Sequence, residues 1–155
     1  MDNPYTYTGG PNYDYIQGVS NLNDVIRGWG GNDDIRGAGC HDDLQGNDGG
    51  DHVSGAFGVD IVEGNAGHDQ PSTCSPSACG SVKGGGDSDT ARGGDGNDEV
   101  SDTEAGGDAD WLYGENGNDT VRGNDGDNLD HVFGGQNTDD CNADFGDEVS
   151  PTCES

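Results

Sequence analysis

An Asp recurs every nine residues through the middle of this 155-residue chain: Asp33, Asp42, Asp51, Asp60 and Asp69. Each stands sixth in a block that opens with Gly, as in GWGGNDDIR, GAGCHDDLQ, GNDGGDHVS and GAFGVDIVE between residues 28 and 63. A single aliphatic follows at the eighth place: Ile35, Leu44, Val53 and Val62. Carboxylates repeated at fixed spacing beside Gly-rich turns offer one chemistry above others. Carboxylate and turn carbonyl oxygens are the hard donors of which Ca²⁺ takes about six to eight in flexible geometry. Mg²⁺ suits such a site less, because it demands octahedral geometry and keeps its waters.

The pattern extends both ways. Asp14 and Ile16 stand in a first block, and Asp24 and Ile26 in one with an extra residue. Pro71 then falls on an aliphatic place, where it cannot donate to a ladder hydrogen bond. Residues 71–80, which include CSPSAC, are expected to loop out. Counting back nine from Asp89 leaves a degenerate block with Gly80 at the Asp place and Val82 at the aliphatic place. Regularity returns with Asp89 and Ala91, Asp98 and Val100, Asp110 and Leu112, and Asp119 and Val121. Asp130 and Val132, Asp139 and Cys141, and Asp147 and Val149 complete the series. This makes fifteen blocks, fourteen of which carry the Asp.

Such a repeat needs a strand and a turn in every block. The three residues around the aliphatic form a short strand whose side chains alternate, with the aliphatic inward and its polar neighbours outward. The six preceding residues reverse the chain. Gly, Asn or Asp, which tolerate positive φ, fill the fourth place in eleven of the fourteen Asp-containing blocks. Two blocks make one coil, and coils stack at about 4.8 Å. The predicted architecture is all-β: a right-handed parallel β-roll, a β-solenoid of about seven coils with two short parallel sheets. Counted through fifteen blocks, Ile16, Ile35, Val53, Ala91, Leu112, Val132 and Val149 line one sheet. Ile26, Leu44, Val62, Val82, Val100, Val121 and Cys141 line the other. Residues 1–8 read as an N-terminal arm or cap, 9–150 as the roll and 151–155 as a tail, with no second domain.

Composition narrows the function. The net charge is −27, with 32 acidic residues against five Lys and Arg, and only 27% of the chain is hydrophobic. Such totals suit an acidic disordered chain, but disorder does not hold a nine-residue register. Nucleic acid is not expected as a partner, since binding phosphate needs clustered Lys and Arg. No apolar run reaches the length of a membrane span. One aliphatic per nine residues buries too little to offset the entropy of ordering them. Bound cations must supply the difference.

The recurring Gly-x-x-Gly-x-Asp-x-aliphatic pattern resembles the repeat-in-toxin family, the hemolysin-type calcium-binding β-rolls, over Gly9 to Ser150. The resemblance implies that each ion sits between turns stacked on one edge, held by the Asp of both and by turn carbonyls. It carries that role onto Asp14, Asp24, Asp33, Asp42, Asp51, Asp60, Asp69, Asp89, Asp98, Asp110, Asp119, Asp130, Asp139 and Asp147. Thirteen same-edge gaps, two of them spoiled by Gly80, leave room for about eleven Ca²⁺, or about +22 against −27. That near-neutralisation couples metal to fold. Leu22, Cys40 and Phe145 replace turn residues that the family fills with Gly, so those sites are expected to be weak or empty. The family's usual C-terminal secretion segment has no counterpart here.

Five Cys remain to be placed. Cys74 with Cys79, and Cys141 with Cys153, are close enough in sequence for two short disulfides, leaving Cys40. Disulfides point to an oxidising compartment. The spacings do not supply the C-x₂₋₄-C pairs of a zinc site. His41 and His68 fall in turns, and His52 and His131 on outward strand places, which reads as surface His rather than catalysis. Stacking places Trp111 beside His131 and Tyr113 beside Phe133, an outward aromatic patch that suits docking of a protein, another copy or a carbohydrate. Cross-strand stabilisation explains the same patch without a partner.

The expected function is non-catalytic: an extracellular or secreted calcium-binding rod, spacer or surface module. The alternative is a decoration or assembly subunit of a virion or extracellular filament. The cysteines favour the first, and the absence of a charged-then-apolar leader after Met1 favours the second. A hydrolase is disfavoured because every repeating Asp already has a ligand role. Ice binding is disfavoured because His41, Val59 and Ala109 interrupt the rank of Asn32, Asn97 and Asn118.

Overall fold

Fourteen aliphatic-centred segments and a residue pattern of period nine build two stacked ladders. The computed structural model describes residues 5–69, 81–102 and 107–154. In chain order the strands are β1 (Thr6–Thr8), β2 (Tyr15–Gln17), β3 (Val25–Gly30), β4 (Asp34–Gly39), β5 (Asp43–Asp48) and β6 (His52–Phe57). There follow β7 (Ile61–Ala66), β8 (Ser81–Gly86), β9 (Thr90–Asp95), β10 (Glu99–Asp102) and β11 (Trp111–Asn116). The series ends with β12 (Thr120–Gly123), β13 (His131–Gln136), β14 (Asp139–Ala143), β15 (Glu148–Val149) and β16 (Cys153–Glu154). No helix occurs among the described residues.

Odd-numbered strands form one eight-stranded parallel sheet and even-numbered strands another. The predicted β-roll is therefore the fold. Register follows the aliphatics: Ile26 lies opposite Leu44, and Leu44 opposite Val62, in the first sheet. In the second, Val100 lies opposite Val121, and Val121 opposite Cys141. A one-residue slip would turn every aliphatic outward, so the narrow core itself fixes this pairing. Ile26, Ile35, Leu44, Val53, Val62, Val82, Ala91, Val100, Leu112, Val121 and Val132 are all 0% exposed and form one continuous row.

The regular strands are longer than the three residues expected. β4, for example, continues through Gly37 to Gly39, so that Ala38 and Gly39 pair with Ala56 and Phe57. Position-by-position pairing of identical blocks extends the ladder into the opening residues of the turn.

Sheet membership differs from the sequence expectation. Ile16, Ile35 and Val53 share a sheet with Val82, Val100, Val121 and Cys141. Ile26, Leu44 and Val62 share the other with Ala91, Leu112, Val132 and Val149. The reason is the place of the insertion. Asp69 and Val82 belong to one block, with the extra residues lying between them, so fourteen blocks replace fifteen. Gly80, read from sequence as standing at an Asp place, lies outside the described residues, as do Cys74 and Cys79.

Thr6–Thr8 pairs with Val25–Arg27, so Tyr7 takes an aliphatic place on the first sheet. At the other end Cys153 pairs opposite Asp139, and a disulfide joins Cys153 to Cys141. Cys40 is a free thiol.

The turns connecting the sheets line the two long edges of the roll. On one edge the opening residue and the Asp are five positions apart in all seven turns, from Gly9 and Asp14 to Gly134 and Asp139. On the other the separation ranges from four, at Ala143 and Asp147, to eight, at Asp102 and Asp110. These are called the regular edge and the variable edge below.

Candidate metal centre

Each Asp of the repeat meets the Asp one coil further on. On the regular edge the backbone N–H of Asp14 donates to Oδ1 of Asp33 at 2.8 Å, and Asp33 to Asp51 at 2.7 Å. The chain of bonds continues through Asp69, Asp98 and Asp119 to Asp139. On the variable edge it runs from Asp24 through Asp42, Asp60, Asp89, Asp110 and Asp130 to Asp147. All fourteen repeat Asp residues predicted from sequence thus fall into two files, with six gaps in each. The bond between Asp69 and Asp98 spans the insertion, so the gaps expected to be spoiled at Gly80 are replaced by a regular one.

The carboxylates are deeply placed. The twelve from Asp24 to Asp139 are at most 3% exposed. Except at Asp24, Oδ1 is satisfied by the amide of the preceding coil. The buried Oδ2 of Asp33, Asp42, Asp51, Asp60, Asp69, Asp89, Asp98, Asp119, Asp130 and Asp139 has no hydrogen-bond partner. A native fold rarely leaves so many buried oxygens unmatched. Burial pushes these acids up: Asp51 and Asp60 to about 7, and Asp69, Asp89 and Asp110 to about 8. Neighbouring Asp charges push the same way, against the lowering effect of the amide bonds.

The opening Gly makes room for these oxygens. A Cβ on Gly28 would fall on Asp33 Oδ2 and 2.6 Å from the carbonyl oxygen of Gly46 in the next coil. At Gly37 it would meet Asp42 Oδ2 and lie 2.8 Å from the Gly55 oxygen. The small residue therefore leaves a carboxylate oxygen and a main-chain oxygen converging on one spot. Among the described residues, the side-chain groups that could hold an ion are all Asp. This oxygen set, anionic and buried, fits Ca²⁺.

The turn backbone explains the remaining sequence pattern and adds to it. Positive φ occurs at the fourth place, as expected, including Gly31 at 119° and Cys40 at 80°. Cys40 thus keeps the turn conformation although it carries a side chain. Phe145 is fully exposed, and Gly146, at 122°, supplies the left-handed residue in that shortened turn. Positive φ also occurs at the second place, where Trp29, Ala38, Ala56 and Glu115 adopt 78–91°. Asn47, Asn65, Gly85, Gly94 and Gly135 stand at the same place with positive φ and favour it, whereas Trp, Ala and Glu side chains disfavour this region by about 1 kcal/mol or more.

A second ladder was not anticipated. Fifth-place side chains accept from the amide of the coil that follows: Asn32 Oδ1 from Gly50, Asn97 Oδ1 from Asn118, and Asn118 Oδ1 from Thr138. His41 and His68 do the same through Nδ1, from Val59 and Asn97. The turn His residues are therefore stitches between coils. An acceptor-bearing side chain immediately before the Asp is the signal that could have revealed this.

The predicted aromatic patch is assembled on the outer face of the first sheet. Tyr113 and Phe133 stack with centroids 4.9 Å apart, Trp111 and His131 at 3.9 Å, and Arg92 lies over Tyr113 at 4.6 Å. Trp111 remains 41% exposed.

Against known proteins, the profile of the RTX calcium-binding nonapeptide repeat matches in four copies, over residues 23–39, 41–71, 81–101 and 104–129. Together these cover more than half of the chain. The chain belongs to the RTX calcium-binding nonapeptide repeat family. The matched RTX copies hold ten of the fourteen file Asp residues, Asp24 through Asp119, on both edges. The third RTX copy resumes at residue 81, just after the insertion that the fold places inside one block. No curated protein and no solved structure matches. No helix among the described residues is long and apolar enough to cross a membrane.

Proposed function

We propose that this RTX roll is an extracellular structural module, a rigid rod or spacer, whose folding is coupled to Ca²⁺. The observation that carries this reading is the file of buried, unpartnered Asp Oδ2 atoms facing backbone carbonyls on both edges. In the gaps between Gly openings the two stacked Asp residues and the carbonyl of the opening Gly would hold the ion. Bound calcium supplies the positive charge that lets like-charged carboxylates stack a coil apart. Twelve gaps would take up about +24 against −27, a closer balance than fifteen blocks allow. The chain's own residues do the rest: after the first Asp of each file, Oδ1 positions the carboxylate through the amide of the preceding coil, and the opening Gly leaves room for an ion.

The Cys141–Cys153 disulfide supports an oxidising, extracellular setting. The repeat carboxylates are all engaged in the two files, which supports a binding role rather than catalysis. The deciding experiment is far-UV circular dichroism during a Ca²⁺ titration of the full chain, with Mg²⁺ as control. Cooperative gain of β-structure with Ca²⁺ alone is expected. A chain that is fully β-structured in excess chelator, or that responds equally to Mg²⁺, would refute the coupling.

A second reading is favoured by the aromatic ladder. In it the module decorates or assembles a virion or extracellular filament, docking through Trp111, Tyr113, His131 and Phe133. Trp111→Ala is then expected to abolish self-association or partner capture with the calcium response intact. If assembly, protein binding and carbohydrate binding all survive, the ladder only stabilises the sheet.

A further inference from the structure

Twelve of the fourteen blocks open with Gly, and Ala143 opens another. Asp102 opens the remaining one. Eight positions rather than five separate it from its Asp110. β10 sets Asp102 opposite Gly123 on one side, and continues the Val100–Val82 register toward Gly84 on the other. Asp102 is 2% exposed, and its Oδ2 accepts the amide of Gly85 at 2.8 Å.

Three carboxylates meet there. A Cβ built on Gly84 would lie 2.5 Å from Asp102 Oδ2 and 2.9 Å from Asp89 Oδ2, so both oxygens converge on that point. Asp89 is 2% exposed, and its Oδ2 has no hydrogen-bond partner. Ligand oxygens of Asp89, Asp102 and Asp110 lie within 4.8 Å of one another, and all three residues are buried. Among the described residues one other repeat gap gathers a third carboxylate, Asp127 beside Asp130 and Asp147, but there only Asp130 is buried. Between Asp89 and Asp110 the third belongs to neither repeat Asp position, and its charge is added where water cannot screen it.

We propose that Asp89, Asp102 and Asp110 form a three-carboxylate Ca²⁺ site distinct from the two-carboxylate gaps, which fills first and loses its ion last. The proposal rests on the calcium reading above and sharpens it to one gap. Affinity of oxygen sites for Ca²⁺ rises with the number of charged ligands. A coil that closes on the first ion then offers both neighbours a formed turn, so stacking spreads outward from β8 to β11. Repeat folds propagate from a nucleus in this manner.

The test is calorimetric Ca²⁺ titration of the chelator-stripped full chain, followed in parallel by circular dichroism. The wild type is expected to show one site at least tenfold tighter than the rest. Asp102→Gly restores the residue found at other openings, so it is not expected to impair folding at saturating calcium, and it should abolish the tight step. Asp102→Asn keeps an acceptor for the Gly85 amide and should weaken that step as much, which assigns the effect to charge. Asp140→Asn, on an exposed outward strand place, should leave it unchanged. An isotherm of Asp102→Gly superimposable on wild type overturns the proposal, as does equal loss in Asp140→Asn. If the wild type binds no Ca²⁺ at all, the calcium reading itself fails, and the two failures are thereby distinguished.

Discussion

The two edges of the roll carry the same Asp file and the same amide-to-Oδ1 ladder, yet they differ in what surrounds it. The regular edge repeats one turn length seven times. The variable edge collects every change of turn length, together with the three clusters of converging carboxylates found among the described residues: Asp89, Asp102 and Asp110; Asp108, Asp125 and Asp127; and Asp127, Asp130 and Asp147. The one insertion on the other side, before Ser81, leaves its turn untouched because it enters after Asp69. The difference teaches that the Asp ladder tolerates extra chain in the turn, provided the Asp and the strand after it stay in step. One edge then maintains the stack while the other acquires additional charge.

Removing calcium should have the largest effect and should strike both edges. In excess chelator at neutral pH the far-UV β signal is expected to collapse. Limited proteolysis should then cut at both sets of turns. Survival of one set would show that a single edge holds the stack without metal.

Single Asp replacements should separate the edges next. Asp51→Asn, in the middle of the regular edge, disturbs the two gaps it borders and should lower stoichiometry by up to two ions. The cost to the loaded fold should be about 2–3 kcal/mol, as for a buried charged hydrogen bond. Asp147→Asn, at the end of the variable edge and only partly buried, borders one gap and should cost under about 1 kcal/mol. Thermal unfolding at saturating Ca²⁺ with calorimetric stoichiometry measures both, and equal losses would contradict the difference.

Gly→Ala should give a smaller contrast. A methyl on Gly46 would press within 2.8 Å of Asp51 Cβ and Cγ, which have no freedom to retreat. On Gly123, at the variable edge, the nearest atoms are Asp130 Oδ2 and Val132 Cγ2 at 3.1 Å, and a shift of a few tenths of an ångström suffices. Gly46→Ala is expected to lower the melting temperature of the loaded protein clearly, by about 1–3 kcal/mol of stability, and Gly123→Ala by well under that.

The mildest effect is on pH. In the metal-free chain the folded-state acids lie above their ordinary value, Asp51 at about 7 and Asp69 and Asp110 at about 8, because burial disfavours the charge. The folded form therefore holds more protons than the unfolded one between about pH 4 and 8. The stability this protonation contributes is complete below the unfolded value and lost as pH rises through the folded ones. Lowering the pH from 8 to 5 in chelator should restore part of the β signal. With calcium present the sign reverses, since protons compete for the same oxygens, and Ca²⁺ affinity should fall over that range. A chelated chain that loses β-structure on acidification would contradict the placement of these carboxylates.

Most of this arrangement was legible in the residues. The Asp period and its trailing aliphatic specify the strand, the inward face and the two files, because each block must repeat its neighbour's pairing to keep Val and Ile dry. Sheet membership beyond Asp69 was not legible. Pro71 signals a departure from the pattern but not whether the extra chain precedes or follows the strand, and counting by nines chose wrongly. Asp102 was missed because it lies between blocks in sequence and enters a site only when β10 is laid beside β8. Positive φ at the second place was missed because Trp29, Ala38, Ala56 and Glu115 stand there among the Gly and Asn that favour it, which blurs the signal. The neighbouring coils impose it there.

The two hydrogen-bond files run in opposite senses. Each Asp amide reaches forward to the next coil, while each Asn or His acceptor at the fifth place receives an amide from that same coil. A roll severed between any two turns would therefore expose unlike faces, and each face would be the mould of the other. At the leading end this is already visible, where Asp24 Oδ1 is buried with no donor. Each coil is thus both template and copy, so the length of the stack is a count of blocks.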